Sequence, residues 1–151
     1  MDTIDKKILF IMQRNADLPL AEIARRVGLS STPCWNRIRK LQEDGVIVEK
    51  TVILDKEKLN LPITVFLMIT VRNHNEIWIK NFKDILKKYN NILEAHRVTG
   101  SQADYIIKIV AESIDEYDRF QQVLIKNIEF NSMSSGVSLQ ELKKTTRFPI
   151  R

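Results

Sequence analysis

A single cysteine, Cys34, stands among the 151 residues. No intrachain disulfide and no cysteine-based metal site can form from it, and a reducing, cytoplasmic setting is the expectation. No stretch approaches the roughly 18 apolar residues that a membrane-spanning helix needs. The opening run MDTIDKKILFIMQRN breaks its short apolar stretch with charge, so the chain is expected to be neither secreted nor inserted. Only two histidines occur, His74 and His96. They fall in different predicted elements and have no cysteine partner, which argues against a metal or catalytic centre. Glycine is scarce too, with Gly28, Gly45, Gly100 and Gly136 the only four.

What is present is charge, unevenly spread. The chain carries 24 Lys+Arg against 19 Asp+Glu, a formal charge of +5 with pI near 9.4. Between positions 25 and 40 stand Arg25, Arg26, Arg37, Arg39 and Lys40 with no carboxylate, whereas Glu112 to Asp118 is acidic. The positive field is local, as expected for a protein that meets a polyanion over one part of its surface.

Apolar periodicity divides the chain. Ile4, Ile8, Leu9, Ile11 and Met12 recur at helical spacing over Thr3–Asn15, with Asp2 or Thr3 as N-cap. Leu20–Val27 forms a second short helix facing inward through Leu20, Ile23, Ala24 and Val27. Gly28 stops it, because glycine tolerates the left-handed conformation of such an ending, and Leu29 anchors the turn before Ser30 or Ser31 caps a third helix running to Asp44. Two short helices across a glycine turn, the second polar on its outer face, are the pattern of a helix-turn-helix. Val46–Leu54 alternates loosely as a strand or hairpin and would supply a wing. Residues 1–54 are thus expected to be a winged helix-turn-helix domain, and the charged, proline-ended DKEKLNLP at 55–62 a linker.

From 63 to 151 the order becomes strand, helix, strand, twice over. The strands are expected at Ile63–Val71, Ile92–Thr99, Ala103–Ala111 and Ile128–Leu142, the last interrupted near Gly136. The helices are expected at Glu76–Tyr89, inward through Trp78, Phe82, Ile85, Leu86 and Tyr89, and at Ile114–Lys126, inward through Ile114, Tyr117, Phe120 and Leu124. This predicts an α+β domain, a ferredoxin-like βαββαβ sandwich with helices on one sheet face. If the odd row Ile63 to Val71 meets the helices, Phe66 and Met68 face outward. A second copy of the chain is the economical cover for such a patch, giving a two-fold dimer.

The run LSSTPCWNRIRKL at 29–41 carries the most chemistry. Cys34, Ile38 and Leu41 form a buried stripe, which makes Cys34 an inert apolar residue. The opposite side shows Trp35, Asn36 and Arg39. In a recognition helix, Ser30, Ser31, Thr32 and the first backbone amides suit phosphate oxygens. Asn36 suits adenine and Arg39 suits guanine, since each offers a two-pronged edge. Trp35 suits a sugar or a thymine methyl. Arg25, Arg26, Arg37 and Lys40 are candidates for phosphate, with Arg37 equally suited to tie the helix to a carboxylate of its own domain.

The run AEIARRVGLSSTPCWNRIRKLQEDGVI resembles the DNA-reading module of the leucine-responsive and asparagine regulator family, Lrp/AsnC. Downstream, VTGSQADYIIKIV resembles that family's ligand-sensing domain, and LQELKKTTRFPI its C-terminal strand and tail. The resemblance implies a transcription factor on double-stranded DNA whose domain at 63–151 dimerises, assembles further, commonly to octamers, and binds an amino acid between dimers, with no other cofactor. The positions that match the pocket are Thr99, Gly100, Asp104 and Tyr105, with Ser134 and Ser135 on the facing strand. Gly100 would let backbone amides approach a carboxylate, and Asp104 would hold an ammonium group or cap the strand turn. Ser101, Gln102 and Ala103 place Gly100 and Asp104 one residue further apart than is usual in the family. Siroheme decarboxylases also resemble it in both domains; that alternative would leave the DNA helix degenerate and give the histidines proton chemistry.

Overall fold

Asp2 is an effective start for a helix, and the chain uses it. In the computed structural model, which describes residues 1–100 and 102–151, α1 (Thr3–Met12) opens with a reciprocal capping box. Asp2 Oδ1 accepts from the amides of Ile4 and Asp5 at 2.8 and 2.9 Å, and Asp5 Oδ2 accepts from the Asp2 amide at 2.9 Å. Amides that would otherwise be orphaned are satisfied in this way. α2 (Leu20–Val27) ends at Gly28, whose φ of +75° is the left-handed region. The Leu29 amide closes the turn on the Ala24 carbonyl at 2.9 Å. An L side chain at position 28 would cost about 1–2 kcal/mol there. α3 (Ser31–Glu43) follows from the N-cap Ser30. Ile8, Met12, Ile23, Ala24, Val27, Cys34, Ile38 and Leu41 form one buried cluster, each large member worth about 1.5–3 kcal/mol when fully buried.

The strand or hairpin expected over Val46–Leu54 does not form. The amides of Val46 and Ile47 both turn back to the Leu41 carbonyl, at 2.9 and 3.0 Å. From position 48 the segment has no regular structure, with Val48, Val52, Ile53 and Leu54 exposed. Alternation alone makes no strand without a neighbour to pair with.

The second unit is built on β1 (Ile63–Thr70), α4 (Glu76–Lys88), β2 (Ile92–Arg97), β3 (Tyr105–Ala111), α5 (Ile114–Asn127) and β4 (Ser132–Val137). The antiparallel sheet runs β2-β3-β1-β4, the expected βαββαβ order. Val65, Leu67 and Ile69 on β1 and Tyr105, Ile107 and Ile109 on β3 pack with Trp78, Phe82, Tyr117, Phe120 and Leu124 of the two helices. Ile114, expected inward, is 50% exposed; as the first residue of α5, next to the Ser113 cap, it precedes the turns that pack. On the opposite face Thr64 and Val110 are covered within the chain, whereas Phe66 is 41% exposed. Glu94 and Lys108 pair at 2.8 Å on that face.

The domain boundaries also shift. The units are Met1–Ile53 with Leu142–Arg151, and Leu54–Glu141. The expected linker 55–62 is a hydrogen-bonded turn of the second unit, in which the Leu61 amide reaches the Lys56 carbonyl at 2.8 Å. Residues 142–151, expected with the sensing domain, join the first. Gln13 brackets Phe148 there, its Oε1 accepting from the Phe148 amide at 2.9 Å and its Nε2 donating to the Phe148 carbonyl at 3.1 Å. Replacing Gln13 by Ala should therefore speed hydrogen exchange at the Phe148 amide and cost no more than about 1–2 kcal/mol of stability. Unchanged exchange would show that the side chain does not hold the tail.

Candidate nucleic-acid interface and effector loop

Burial of Cys34, Ile38 and Leu41 fixes the roll of α3, and so decides what points away. Trp35, Asn36, Arg39 and Lys40 are all exposed. At the N-terminus the Ser30 hydroxyl makes no capping bond, and Ser31 and Thr32 are exposed. First-turn amides have no acceptor inside a helix, and although Pro33 has no N–H to offer, the amides of Ser31 and Thr32 and the neighbouring hydroxyls are available to an anion.

The arginines are held rather than loose. On α2, Glu22 accepts from Arg25 Nε and Nη2 at 2.9 and 2.8 Å, and from Arg26 Nε at 2.7 Å. The two guanidinium groups draw the Glu22 carboxyl down from 4.5 to about 2. Arg39 Nε donates to Glu43 Oε1 at 2.7 Å, and its guanidinium carbon lies 5.4 Å from the centre of the Trp35 ring. Arg37 takes the intradomain role: its Nη1 lies 2.7 Å from both Asp2 Oδ2 and Asp5 Oδ1. It thereby clamps α3 to the capped start of α1, and its assignment to phosphate gives way to a tie. Cys34 is buried, which pushes its thiol up and leaves it inert.

The effector positions do not come together in one chain. Thr99 and Gly100 are exposed, in the connection between β2 and β3. Ser101 lies outside the described residues, so the lengthened spacing is seen only from Gln102 onward. Asp104 caps the strand turn, its Oδ2 accepting from the Val71 amide at 2.7 Å. Tyr105 departs from expectation because it is a core residue, 7% exposed and packed on Trp78 and Phe82. Ser134 and Ser135 point to opposite faces, as consecutive strand residues must. Ser135 turns toward α5, where the Tyr117 hydroxyl and Gln121 meet it, so it too leaves the expected pocket. His74 approaches Asp104 at 3.8 Å and the Tyr105 hydroxyl at 3.4 Å on the helix side. His96 sits by Glu94 on the other face, so the two histidines share no site. Among the described residues no cluster of His, Cys, Asp or Glu can hold a metal, and no helix is long and apolar enough to cross a membrane.

Glu22 and Glu43 escaped notice in the sequence, although their spacing of three or four residues from Arg25, Arg26 and Arg39 is the signal for such pairs. Nothing comparable in the sequence announces the Gln13–Phe148 bracket.

Residues 1–48 match the family described as winged helix-turn-helix DNA-binding, and residues 64–148 the Lrp/AsnC ligand binding domain. A glutamate uptake regulatory protein from Zymomonas mobilis is 37% identical over 99% of this chain and 91% of its own length. The DNA-binding transcriptional activator DecR of Escherichia coli is 30% identical, covering 99% of both. A crystal structure of an AsnC family transcriptional regulator from Agrobacterium tumefaciens superposes with a TM-score of 0.93 at 39% identity, over 99% of this chain and 97% of that one. The regulator NMB0573 of Neisseria meningitidis, solved with L-Met, gives 0.92 at 27% identity, over 99% and 96%.

Capping amides and Arg37 hold the Asp2 carboxyl at about 2, below its ordinary 3.8. A depressed folded value means that this contribution is complete above about 4 and is lost as pH falls toward 2. Arg37→Met should raise the Asp2 value part of the way back, leaving the capping contribution, and move the acid limb of unfolding to higher pH. An NMR titration of the Asp2 carboxyl that does not differ between the two proteins would contradict the tie.

Proposed function

The chain belongs to the Lrp/AsnC family of transcriptional regulators, and from that premise we propose that it reads double-stranded DNA with α3 and answers to an amino acid. The observation that carries this reading is the exposed Trp35, Asn36 and Arg39 stripe opposite the buried Cys34, Ile38 and Leu41. A helix of this kind enters the major groove by its N-terminal half. Ser30, Ser31, Thr32 and the first amides then take phosphate, Asn36 and Arg39 read base edges, and Arg25, Arg26 and Lys40 add backbone contacts. Two copies joined through the open sheet face at Phe66 and Met68 present two such helices. Half-sites follow at separations of one or more helical turns, about 10 base pairs each.

For the effector, Thr99, Gly100 and Asp104 form a partial site that another subunit completes. Gly100 leaves room for a carboxylate near the backbone, and Asp104 offers a second oxygen to an ammonium group while the first holds Val71. Ser134, which faces away from the helices, suits the completing side of a neighbouring subunit. Assembly beyond the dimer, to an octamer or another closed form, supplies that neighbour. A siroheme decarboxylase activity has nothing here to favour it, since family and relatives are regulators.

Two measurements test these roles. Against a sequence selected from a random pool, Arg39→Ala should lose about 1–3 kcal/mol of discrimination, while Arg26→Ala weakens all DNA alike. Equal, uniform losses in both would remove the base-reading role from Arg39. Asp104→Asn keeps an acceptor for Val71 but removes the charge. Calorimetry across the common amino acids should give binding heat with the parent and none with this variant, the assembly state being unchanged; no heat with the parent would retire the effector.

A further inference from the structure

Base reading by Arg39, on which this inference rests, poses a geometric problem. An arginine on an exposed helix face sweeps a wide volume, and a two-pronged contact to guanine needs two N–H groups in one plane at one place. The structure holds this side chain from both ends of its reach. One turn ahead, Glu43 Oε1 accepts from Nε at 2.7 Å; one turn back, the Trp35 ring lies 5.4 Å from the guanidinium carbon, within range of a cation–π contact. Nη1 and Nη2 have no hydrogen-bond partner among the described residues. Arg25 differs, because Glu22 occupies its Nε and Nη2 together.

Helix stability, to which an exposed pair four residues apart adds only slightly, accounts for little of Glu43. It is the last residue of α3, where the helix dipole disfavours negative charge. It also adds negative charge to the helix that would lie on DNA, and a carboxylate there weakens attraction for any DNA. A residue with both costs makes sense if its oxygen does something specific.

We propose that Glu43 is the positioning residue for Arg39: it holds Nε so that Nη1 and Nη2 are presented end-on to a guanine, with Trp35 as the opposing wall. Glu43 itself touches no base. Its contribution is to discrimination rather than to attraction.

Glutamine and methionine at position 43 separate these two effects, because both remove the charge and only glutamine keeps an oxygen acceptor. The readout is the ratio of dissociation constants for a selected site and a scrambled duplex at fixed salt, with thermal melting to confirm folding. Both Glu43→Gln and Glu43→Met should bind scrambled DNA more tightly than the parent and to the same extent. Glu43→Gln should keep the parent's ratio within about twofold, while Glu43→Met should lose about fivefold or more, the lower end of what one bidentate guanine contact is worth. In an Arg39→Ala background, exchanging Gln for Met should leave the ratio unchanged. Equal ratios for the two single variants would overturn the proposal and make Glu43 a surface charge. A Gln-to-Met difference that persists without Arg39 would also overturn it, by showing that Glu43 acts through something else. Failure of base reading itself shows separately, as an Arg39→Ala single variant whose ratio equals the parent's.

Discussion

Everything on the DNA-reading side depends on how α3 is planted. A helix with two usable faces has no defined direction until one of them is spent, and burial of Cys34, Ile38 and Leu41 against Ile8, Met12, Ile23, Ala24 and Val27 spends it. The Arg37 tie to Asp2 and Asp5 then adds a directional polar contact to the apolar one. Those carboxylates are the pair that caps α1, so the start of one helix and the setting of another share a single polar cluster. Trp35, Asn36 and Arg39 are consequently presented on the side away from the buried stripe.

The arginines of this surface follow one rule. Arg25 and Arg26 share Glu22, Arg37 has Asp2 and Asp5, and Arg39 has Glu43. The exposed pairs on Glu22 and Glu43 add little to stability. Their effect is on where guanidinium groups point and on how strongly the surface attracts anions indiscriminately. A reader of sequence benefits from both, because specificity is a difference between affinities and rises when the wrong contacts are weakened.

Legibility in the sequence tracked the range of the interaction. The α3 stripe and the odd row of β1 were plain because period alone determines them. Arg37 stayed open between phosphate and tie, since no local pattern tells which carboxylates a neighbouring helix brings. The same alternation could have excluded two pocket residues: Tyr105 shares parity with Ile107 and Ile109 and must face the helices, and Ser134 and Ser135 cannot line one cavity. The strand expected at Val46–Leu54 does not form for want of a pairing partner, and the return of residues 142–151 to the first unit is a tertiary event with no local signature. The proposed effector site has the same character, because a site completed by another subunit would leave only half its pattern in any one chain.

The central claim is that the outward stripe of α3 lies against nucleobases. Titrating isotopically labelled protein with a duplex selected from a random pool, and following the Trp35 indole and the backbone amides, addresses it directly. The account predicts the largest shifts at Trp35, Asn36 and Arg39, with smaller ones at Ser31 and Thr32, and a return toward free values when the selected core is scrambled. Shifts confined to other elements, with the Trp35 indole signal unmoved at saturation, would contradict it.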